Sequence, residues 1–407
     1  MIEKISHKIG ISPNLFFGYI GLIFFMLGAG IETSWFSAFL VSLGYEVQLV
    51  SLIFSFYGLF VAIFSWMTSF FTSIFTVRKV MAFGLAVYLI TTVILVIGLM
   101  LNYLPLIATS YIFRGASYPL FAYAFLVWVT LKTDLSQLGK ATSWFWFSFN
   151  LGMTILSPIF ASVLLNIITP IFIIGFGALM ALIGGFLALK LNGDQLERNI
   201  NHKGILNEMK SGLTIYLEYP RLLIGLIVKS INNVGQFGFV IMMPIFLIEN
   251  NYSLTQWSSI WAITYIINTF ALILFGNLGD RFGWRRIVSY FSGTLSALSC
   301  VLIAIVVYFF PGNFFLLMVA FAIFSFGIAA FGPLSALIPA MAPEKKAVSI
   351  SVLNLGSGLS NFLGPLLVTI LFQNYGGYIV LLIFAGLYLL SSILTIFLKL
   401  PEEIKTH

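Results

Sequence analysis

Charged residues are scarce in this sequence. Lysine, arginine, aspartate and glutamate together make up 8% of the 407 residues, whereas apolar residues make up 60%. A chain of this length with so few charges cannot cover a water-soluble core with a polar surface, which excludes the ordinary soluble globular classes. The composition therefore predicts a protein that lies in a lipid bilayer.

Residues that bind metals or form disulfides are almost absent. The chain has one cysteine, Cys300, and its three histidines, His7, His202 and His407, lie far apart in polar segments. This pattern provides neither a disulfide framework nor a metal site. The sequence also has no ATP-binding loop and no nucleophile–base arrangement. We therefore expect no cofactor, no metal and no enzymatic activity.

Long apolar runs, in contrast, recur along the whole chain. A run of about 20 apolar residues can cross ~30 Å of hydrocarbon as a helix. Twelve such spans are predicted, at roughly 16–43, 48–75, 80–101, 104–131, 140–164, 167–191, 221–248, 255–279, 287–310, 313–341, 346–372 and 377–399. The sequence therefore predicts an all-α membrane protein with twelve transmembrane helices.

Basic residues occupy alternate connections between these spans. All lysines and arginines except Arg114 and Lys229 lie in the N-terminal tail, in or beside every second connection, or at the end of the chain. Because such residues stay predominantly on the cytoplasmic side, both termini are predicted to be cytoplasmic. This topology, together with contact with anionic lipid head groups, explains the net charge of +7, so we expect no nucleic-acid partner.

One long polar interval divides the spans into two sets of six. We predict an N-terminal bundle at 1–191, a cytoplasmic linker at 192–220 and a C-terminal bundle at 221–407. The stretch "FTVRKVMAFGLAVY" from Phe75 is similar to "FGWRRIVSYFSGTL" from Phe282, which indicates a repeat of 207 residues. This pattern resembles the major facilitator superfamily. The resemblance implies two pseudo-symmetric six-helix bundles that rock around a substrate site near the midplane between them.

The connection "GNLGDRFGWRR" also resembles a loop of that superfamily, with the pattern G-x-x-x-D-R-x-G-R-R/K. Glycines allow a tight turn and a close approach to a neighbouring helix, and the acid and arginines can form ion pairs that break in another state. The alternative is that the arginines only set the topology. In the first half only the two basic residues remain. The predicted gate residues are Arg78, Lys79, Gly276, Asp280, Arg281, Gly283, Arg285 and Arg286.

Three charged residues, Glu32, Arg114 and Lys229, lie well inside predicted spans. An unpaired charge there costs roughly 2.5–3.5 kcal/mol on insertion scales, which makes each a functional candidate. At 1.5 Å per residue, Glu32 and Arg114 both lie roughly 14–17 Å below the outer surface, so they can meet. Such a pair predicts proton coupling if the partners separate during transport, or a static structural pair if they do not.

Polar residues near the midplane indicate a substrate site. Lys229 is a candidate anion contact, although its stem could simply reach the cytoplasmic interface. Amides there suit a neutral polyhydroxylated ligand because they both donate and accept hydrogen bonds. Each of them could equally hold helices together. The candidates for substrate binding are Trp35, Tyr57, Tyr118, Asn150, Asn232, Asn233, Gln236, Trp261, Asn268, Asn354 and Asn361, with Tyr265 at a similar depth.

Several stretches resemble the polyol permease branch of the superfamily, which imports ribitol and D-arabinitol. They are "GAGIETSWFSAFLVSLG", "INNVGQFGFVIMMPIFL", "PLSALIPAMAPEKKAVSISVLNLGSGLSNFLGP" and "LKLPEE". The resemblance implies proton-coupled import of a five-carbon sugar alcohol and points to Glu32, Arg114, Gln236 and Asn354. The chain departs from the branch at Ala29, where an aspartate is usual.

Three classes of transporter follow from these observations. Import of a pentitol with protons is favoured, and an organic-anion proton symporter is the alternative because Arg114 and Lys229 could bind a carboxylate. An efflux carrier is third, since "SFNLGMTILSPIF" lacks the G-x-x-x-G-P run of antiporters. In each case the expected partners are a small-molecule substrate, protons and lipids, and we expect a monomeric multi-pass protein of a prokaryotic cytoplasmic (inner) membrane.

Overall fold

The chain folds into α-helices. A computed structural model describes residues 15–133, 138–190, 215–342 and 346–400, and these residues contain no strand. The helices are α1 (Phe16–Gly30), α2 (Phe36–Ser42), α3 (Val47–Ile74), α4 (Val77–Met100), α5 (Leu104–Arg114), α6 (Ala124–Lys132), α7 (Leu138–Asn150), α8 (Ser157–Leu164), α9 (Pro170–Lys190), α10 (Arg221–Glu249), α11 (Leu254–Phe282), α12 (Trp284–Ile287), α13 (Gly293–Phe309), α14 (Phe314–Ala329), α15 (Leu334–Met341) and α16 (Lys346–Ile396). Short π-helical segments lie at Pro119–Tyr123, Leu151–Leu156 and Val288–Ser292.

Ten helices in the described residues are long and apolar enough to cross a membrane. One of them, Leu355–Ile396, has 42 residues and is two helices joined at Gly376, where φ is 76° and ψ is 169°. Glycine adopts this backbone conformation readily because it has no Cβ. Division at Gly376 and addition of the interrupted first span, formed by α1 and α2, give twelve, the number that the sequence predicts. The prediction of an all-α multi-pass membrane fold is confirmed.

The helices begin where side chains can bind the free backbone N–H groups of a first turn. Thr76 caps α4 by accepting from the backbone N–H of Lys79, and Asn313 caps α14 by accepting from that of Leu316. Ser253 and Gln256 form a reciprocal capping box at the start of α11. These polar residues stand at the predicted ends of spans, which is why the sequence locates the spans well.

The described residues group into two compact units. The first contains the residues up to Phe36 and those from Leu59 to the end of α9. In this unit α1 packs against α9 through glycines: a Cβ at Gly21 would lie 2.6 Å from the carbonyl O of Gly184, and a Cβ at Gly28 would overlap the carbonyl of Gly177. Two helices can approach this closely only where side chains are absent.

The second unit contains Ser37–Gly58 and the described residues from 215 onward. Its N-terminal segment packs on later helices, since the Ser37 hydroxyl donates to the carbonyl of Ile241 at 3.1 Å. The helices α10 and α16 lie in close contact at Gly364, where a Cβ would be 2.7 Å from the carbonyl O of Val234. The predicted bundle boundaries, most of the linker and the orientation of the termini stay predictions, because residues 1–14, 191–214 and 401–407 lie outside the described residues.

The predicted repeat has structural counterparts in the two halves of the sequence. Gly44 and Asn251, which are 207 positions apart, both have a positive φ, 96° and 67°. Each residue follows the first apolar span of its half, where the chain turns toward the next helix. The same turn geometry at the same sequence interval agrees with a duplicated six-helix plan.

Candidate functional site

Glu32 and Arg114 form a buried ion pair. Arg114 Nη2 donates to Glu32 Oε2 at 2.9 Å, and both side chains are at most 3% exposed. The two residues lie 82 positions apart in the sequence, so the fold brings together the pair whose similar depth suggested a contact. Its role in proton coupling stays a prediction.

Both members of this pair lie where a helix is interrupted. Glu32 follows the end of α1, in a segment of turns before α2 in which the Thr33 hydroxyl donates to the carbonyl of Gly30 at 2.8 Å. Arg114 is the last residue of α5 and precedes Gly115 and the π-helical segment that begins at Pro119. Proline cannot donate to the carbonyl four residues earlier, which weakens a regular helix at this point. Interruptions of this kind are common at functional sites.

Tyr88 in α4 completes the cluster, and the sequence did not single it out. Arg114 Nη2 also donates to Tyr88 Oη at 2.6 Å, and Tyr88 Oη donates to the carbonyl of Gly28 at 2.6 Å. The Arg114 guanidinium carbon lies 4.2 Å from the centroid of the Tyr88 ring, which adds a cation–π contact. A tyrosine in the middle of an apolar helix was the available signal. Its partners could not be identified without knowing which helices are neighbours.

Glycines leave the space that this cluster occupies. A Cβ at Gly177 in α9 would lie 3.0 Å from the carbonyl O of Gly28 and 3.3 Å from Tyr88 Oη. Ala29, where the resembling branch usually has an acid, is buried beside Gly28. The cluster therefore holds one carboxylate, one guanidinium and one phenol in a tightly packed interior.

The other candidates in the first unit lie among aromatic side chains. Trp35 is fully buried and its Nε1 donates to the carbonyl of Ile31 at 2.8 Å. Tyr118 packs edge-on against Tyr123 and Phe149, with ring centroids 6.2 and 5.9 Å away. Asn150 is half-buried at the end of α7. Their assignment to substrate binding stays a prediction.

In the second unit, Lys229, Asn233 and Gln236 share one partly exposed face of α10. Asn232 was predicted to join Asn233 and Gln236, but it is buried at 6% exposure, and its carbonyl accepts from Tyr388 Oη. Successive residues are about 100° apart around a helix, so Asn232 is buried while Asn233 stays partly exposed. The side-chain oxygen of Asn232 has no hydrogen-bond partner among the described residues. The assignment of Asn232 to substrate binding stays a prediction.

Further candidates of the second unit lie on α11 and α16. Trp261 is buried in a column of rings, with centroids 5.0 Å from Trp257 and 5.1 Å from Tyr265. Asn268 Nδ2 donates to the carbonyl of Ser325 on α14 at 3.2 Å, and this bond connects two helices. Asn361 Nδ2 donates within its own helix to the carbonyl of Ser357.

Tyr57 and Asn354 are the two remaining candidates for substrate binding. Tyr57 is half-buried in α3. The side chain of Asn354 is outside the described part of the chain, so its predicted role is neither supported nor contradicted.

The predicted gate differs in detail from the expectation. Gly283 makes the turn after α11 with a φ of 98°. Among the described residues, however, no atom of a neighbouring element lies within 4 Å of a Cβ at Gly276, so the close approach expected at this glycine is not seen. It occurs at Gly279, one turn of helix later, where a Cβ would lie 2.8 Å from Pro333 Cγ.

The cationic gate residues lie at helix ends. Arg285 Nη1 donates to the carbonyl of Ile396, and Arg78 Nη2 donates to that of Leu189. Lys79, Arg281 and Arg286 are exposed. The side chain of Asp280 lies outside the described structure, so an ion-pair latch stays a prediction.

The described part of the second unit has no counterpart of the buried ion pair. The residue 207 positions after Glu32 is Phe239, and its ring lies 5.0 Å from that of Phe324 and 5.9 Å from that of Phe321. Aromatic packing therefore occupies the place that the carboxylate has in the first half. The two halves therefore share an arrangement of helices but differ in the side chains that are buried at this position.

Comparison with known proteins matches almost the whole chain to one family of transporters. The model of the Major Facilitator Superfamily matches residues 18–306 and 249–407. A Bacillus subtilis alpha-ketoglutarate permease is 37% identical over 98% of this chain and 92% of its own length. From Klebsiella pneumoniae, a D-arabinitol transporter is 29% identical (98% of this chain, 95% of its own) and a ribitol transporter 28% identical (97% and 93%).

Solved transporter structures share this fold at low sequence identity. A point mutant of the nucleoside transporter NupG matches with a TM-score of 0.74 and 15% identity over 95% of this chain and 99% of that one. A D-xylose-proton symporter matches with a TM-score of 0.73 and 16% identity over 94% and 96%. From its helices, its family match and its relatives, this chain belongs to the major facilitator superfamily of membrane transporters.

Proposed function

We propose that this protein is a secondary active transporter that imports a small polar solute together with protons, and that Glu32 carries the proton. The observation that supports this proposal is the Glu32–Arg114 contact of 2.9 Å, buried in the interior of the first unit. Glu32 is also the one acidic residue well inside a predicted span of the sequence.

The physical argument concerns the cost of an isolated buried charge. A carboxylate in this environment is stable when it is paired with Arg114 or when it is protonated, because an unpaired buried ion costs several kcal/mol. Proton binding and the contact with Arg114 are therefore alternatives. A conformational change that separates the two side chains would require a proton, which is the linkage that a symporter needs.

Tyr88 makes the separated state less costly. When Glu32 is protonated, Arg114 keeps a hydrogen bond to Tyr88 Oη and the contact with its ring. Tyr88 in turn remains bound to the carbonyl of Gly28. Arg114 thus has a second partner that does not depend on protonation.

Two substrate classes are supported. The sequence favours a pentitol such as ribitol or D-arabinitol, and the two Klebsiella relatives carry these substrates in their names. The partly exposed amides Asn233 and Gln236 suit such hydroxyls. The alternative is an organic anion, which is supported by the name of the Bacillus relative and by its higher identity, 37%.

The test is uptake into proteoliposomes under an inward proton gradient, with 2-oxoglutarate and ribitol as probes. Glu32→Gln keeps the shape of the side chain but cannot ionise, so uphill uptake should disappear while exchange of substrate across the membrane persists. Glu46→Gln, which changes an exposed acid at the start of α3, should behave like the wild type. A Glu32→Gln protein that still concentrates substrate would contradict the proposal.

A further inference from the structure

Lys229 is the one charged side chain more than two turns from a helix end in the described part of the second unit. It lies eight residues after Arg221, where α10 begins, and thus about 12 Å along the helix axis. Lys229 forms no salt bridge with an acidic group of the described residues, in which the buried ion pair joins Glu32 to Arg114. An unpaired charge at such a place is costly.

The position of Lys229 around α10 separates it from the most exposed apolar face. Lys229, Asn233 and Gln236 follow the spacing i, i+4 and i+7, so their side chains lie within roughly 60° of one another. Leu223 and Ile227 are 49% and 41% exposed, as expected for side chains in contact with lipid. They lie roughly 120–160° around the helix from Lys229. The lysine therefore belongs to a polar stripe.

Packing holds the stem of Lys229 in place. A Cβ at Gly356 in α16 would lie 2.9 Å from both Cβ and Cγ of Lys229, so the stem occupies the space that a side chain at 356 would fill. One turn earlier on α10, a Cβ at Gly225 would be 3.0 Å from Cδ1 of Ile338 in α15. Helix α16 thus packs against the stem of the lysine, and α15 packs against α10 one turn earlier.

These observations distinguish between the two substrate classes. The hydroxyls of a polyol cannot neutralise an ammonium ion, whereas a carboxylate neutralises it and accepts charge-assisted hydrogen bonds. The amides of Asn233 and Gln236 can donate to the same carboxylate or to a neighbouring oxygen. We infer that Lys229 binds a carboxylate of the transported solute, so that the substrate is a small organic anion. This inference rests on the proposed transport function and names its substrate class.

The experiment measures binding by the full chain in lipid nanodiscs, by isothermal titration with 2-oxoglutarate, succinate and ribitol. The wild type should bind a carboxylate, and Lys229→Met, which keeps the stem and removes the charge, should lower that affinity about tenfold or more. Lys229→Arg should retain much of the affinity. Lys399→Met, which removes a charge after the last helix, is the matched control and should bind like the wild type.

Two outcomes would overturn the inference. One is a wild type that binds ribitol but neither carboxylate, and the other is an unchanged carboxylate affinity in Lys229→Met, which would mean that the ammonium only reaches the cytoplasmic interface. Thermal unfolding of each variant shows whether it is folded, and Lys229→Arg provides a second test if Lys229→Met is not. Proton-driven uptake that depends on Glu32 would remain in either case, so failure here is distinct from failure of the proposed function.

Discussion

Arg78 and Arg285 make the same contact in the two halves of the chain. They are 207 positions apart, and each donates to a backbone carbonyl 111 residues later, Leu189 for Arg78 and Ile396 for Arg285. These carbonyls lie in the last turns of α9 and α16, where they lack partners within the helix and carry partial negative charge. Each arginine thus joins the start of one helix to the end of another within its own half.

This finding predicts a structural role for two of the predicted gate arginines. Arg78→Ala and Arg285→Ala should each destabilise the protein by roughly 1–3 kcal/mol, since a charge-assisted hydrogen bond is lost. The effects should be additive in the double variant because the sites share no partner. Thermal unfolding in detergent measures this, with Arg286→Ala, which changes an exposed side chain, as the control. Loss of transport at unchanged stability would assign these arginines to the gate instead.

Tyr88→Phe tests the second partner of Arg114. The variant keeps the ring but loses the hydroxyl that accepts from Arg114 and donates to the carbonyl of Gly28. Separation of Arg114 from Glu32 becomes more costly, so the maximal rate of proton-driven uptake should fall about tenfold while the affinity for substrate stays within about twofold.

The control for Tyr88→Phe is Tyr19→Phe. Tyr19 is also buried in the first unit, and its hydroxyl donates to the carbonyl of Ala141 at 3.0 Å. This change should lower stability without a selective effect on the maximal rate. Equal kinetic effects of the two substitutions would show that Tyr88 is structural only.

Gly28→Ala should destabilise the packing of α1 on α9. The added Cβ would overlap the carbonyl of Gly177, and neither helix backbone can move away without losing other contacts. Overpacking of this kind costs about 1–3 kcal/mol. Gly175→Ala is a matched control on α9, because no neighbouring atom of the described structure lies within 4 Å of a Cβ there. Equal thermal stability of the two variants would contradict this account.

The predicted orientation can be tested by cysteine labelling. In a Cys300→Ser background, cysteines at Asn102 and Gly376 should react with an impermeant reagent from outside the cell. A cysteine at Asn201, in the linker beyond the described residues, should react only from inside. The physical reason is the retention of lysine and arginine on the cytoplasmic side. Labelling of the Asn201 site from outside would reverse the topology.

The sequence predicted the elements of this structure better than their contacts. Apolar run length located the spans, and the equal depth of Glu32 and Arg114 predicted that they could meet. Tyr88 was missed because depth along a helix does not say which helices are neighbours. The burial of Asn232 was not predicted, because one residue turns a helix by about 100°, which is enough to move a side chain from a partly exposed face to a packed one.

The gate glycines show the same limit. The spacing of the motif identified the turn at Gly283, which depends on backbone conformation and hence on residue type. It did not identify the close contact at Gly279, which depends on the position of Pro333, the residue before α15.

Phe239 in the second half stands at the position that Glu32 has in the first, and this difference affects the net charge that moves across the membrane in each transport cycle. Under the proposal that Glu32 carries the proton, one acid within the membrane binds at most one proton in each transport cycle. A dianionic substrate would then enter with a net charge of −1 and a neutral pentitol with +1. Moving one such charge across a membrane potential of 100 mV changes the free energy of transport by about 2.3 kcal/mol. A negative potential inside the vesicle should therefore slow uptake of the first and accelerate uptake of the second. The sign of the transport current thus reports the substrate class in the unaltered protein.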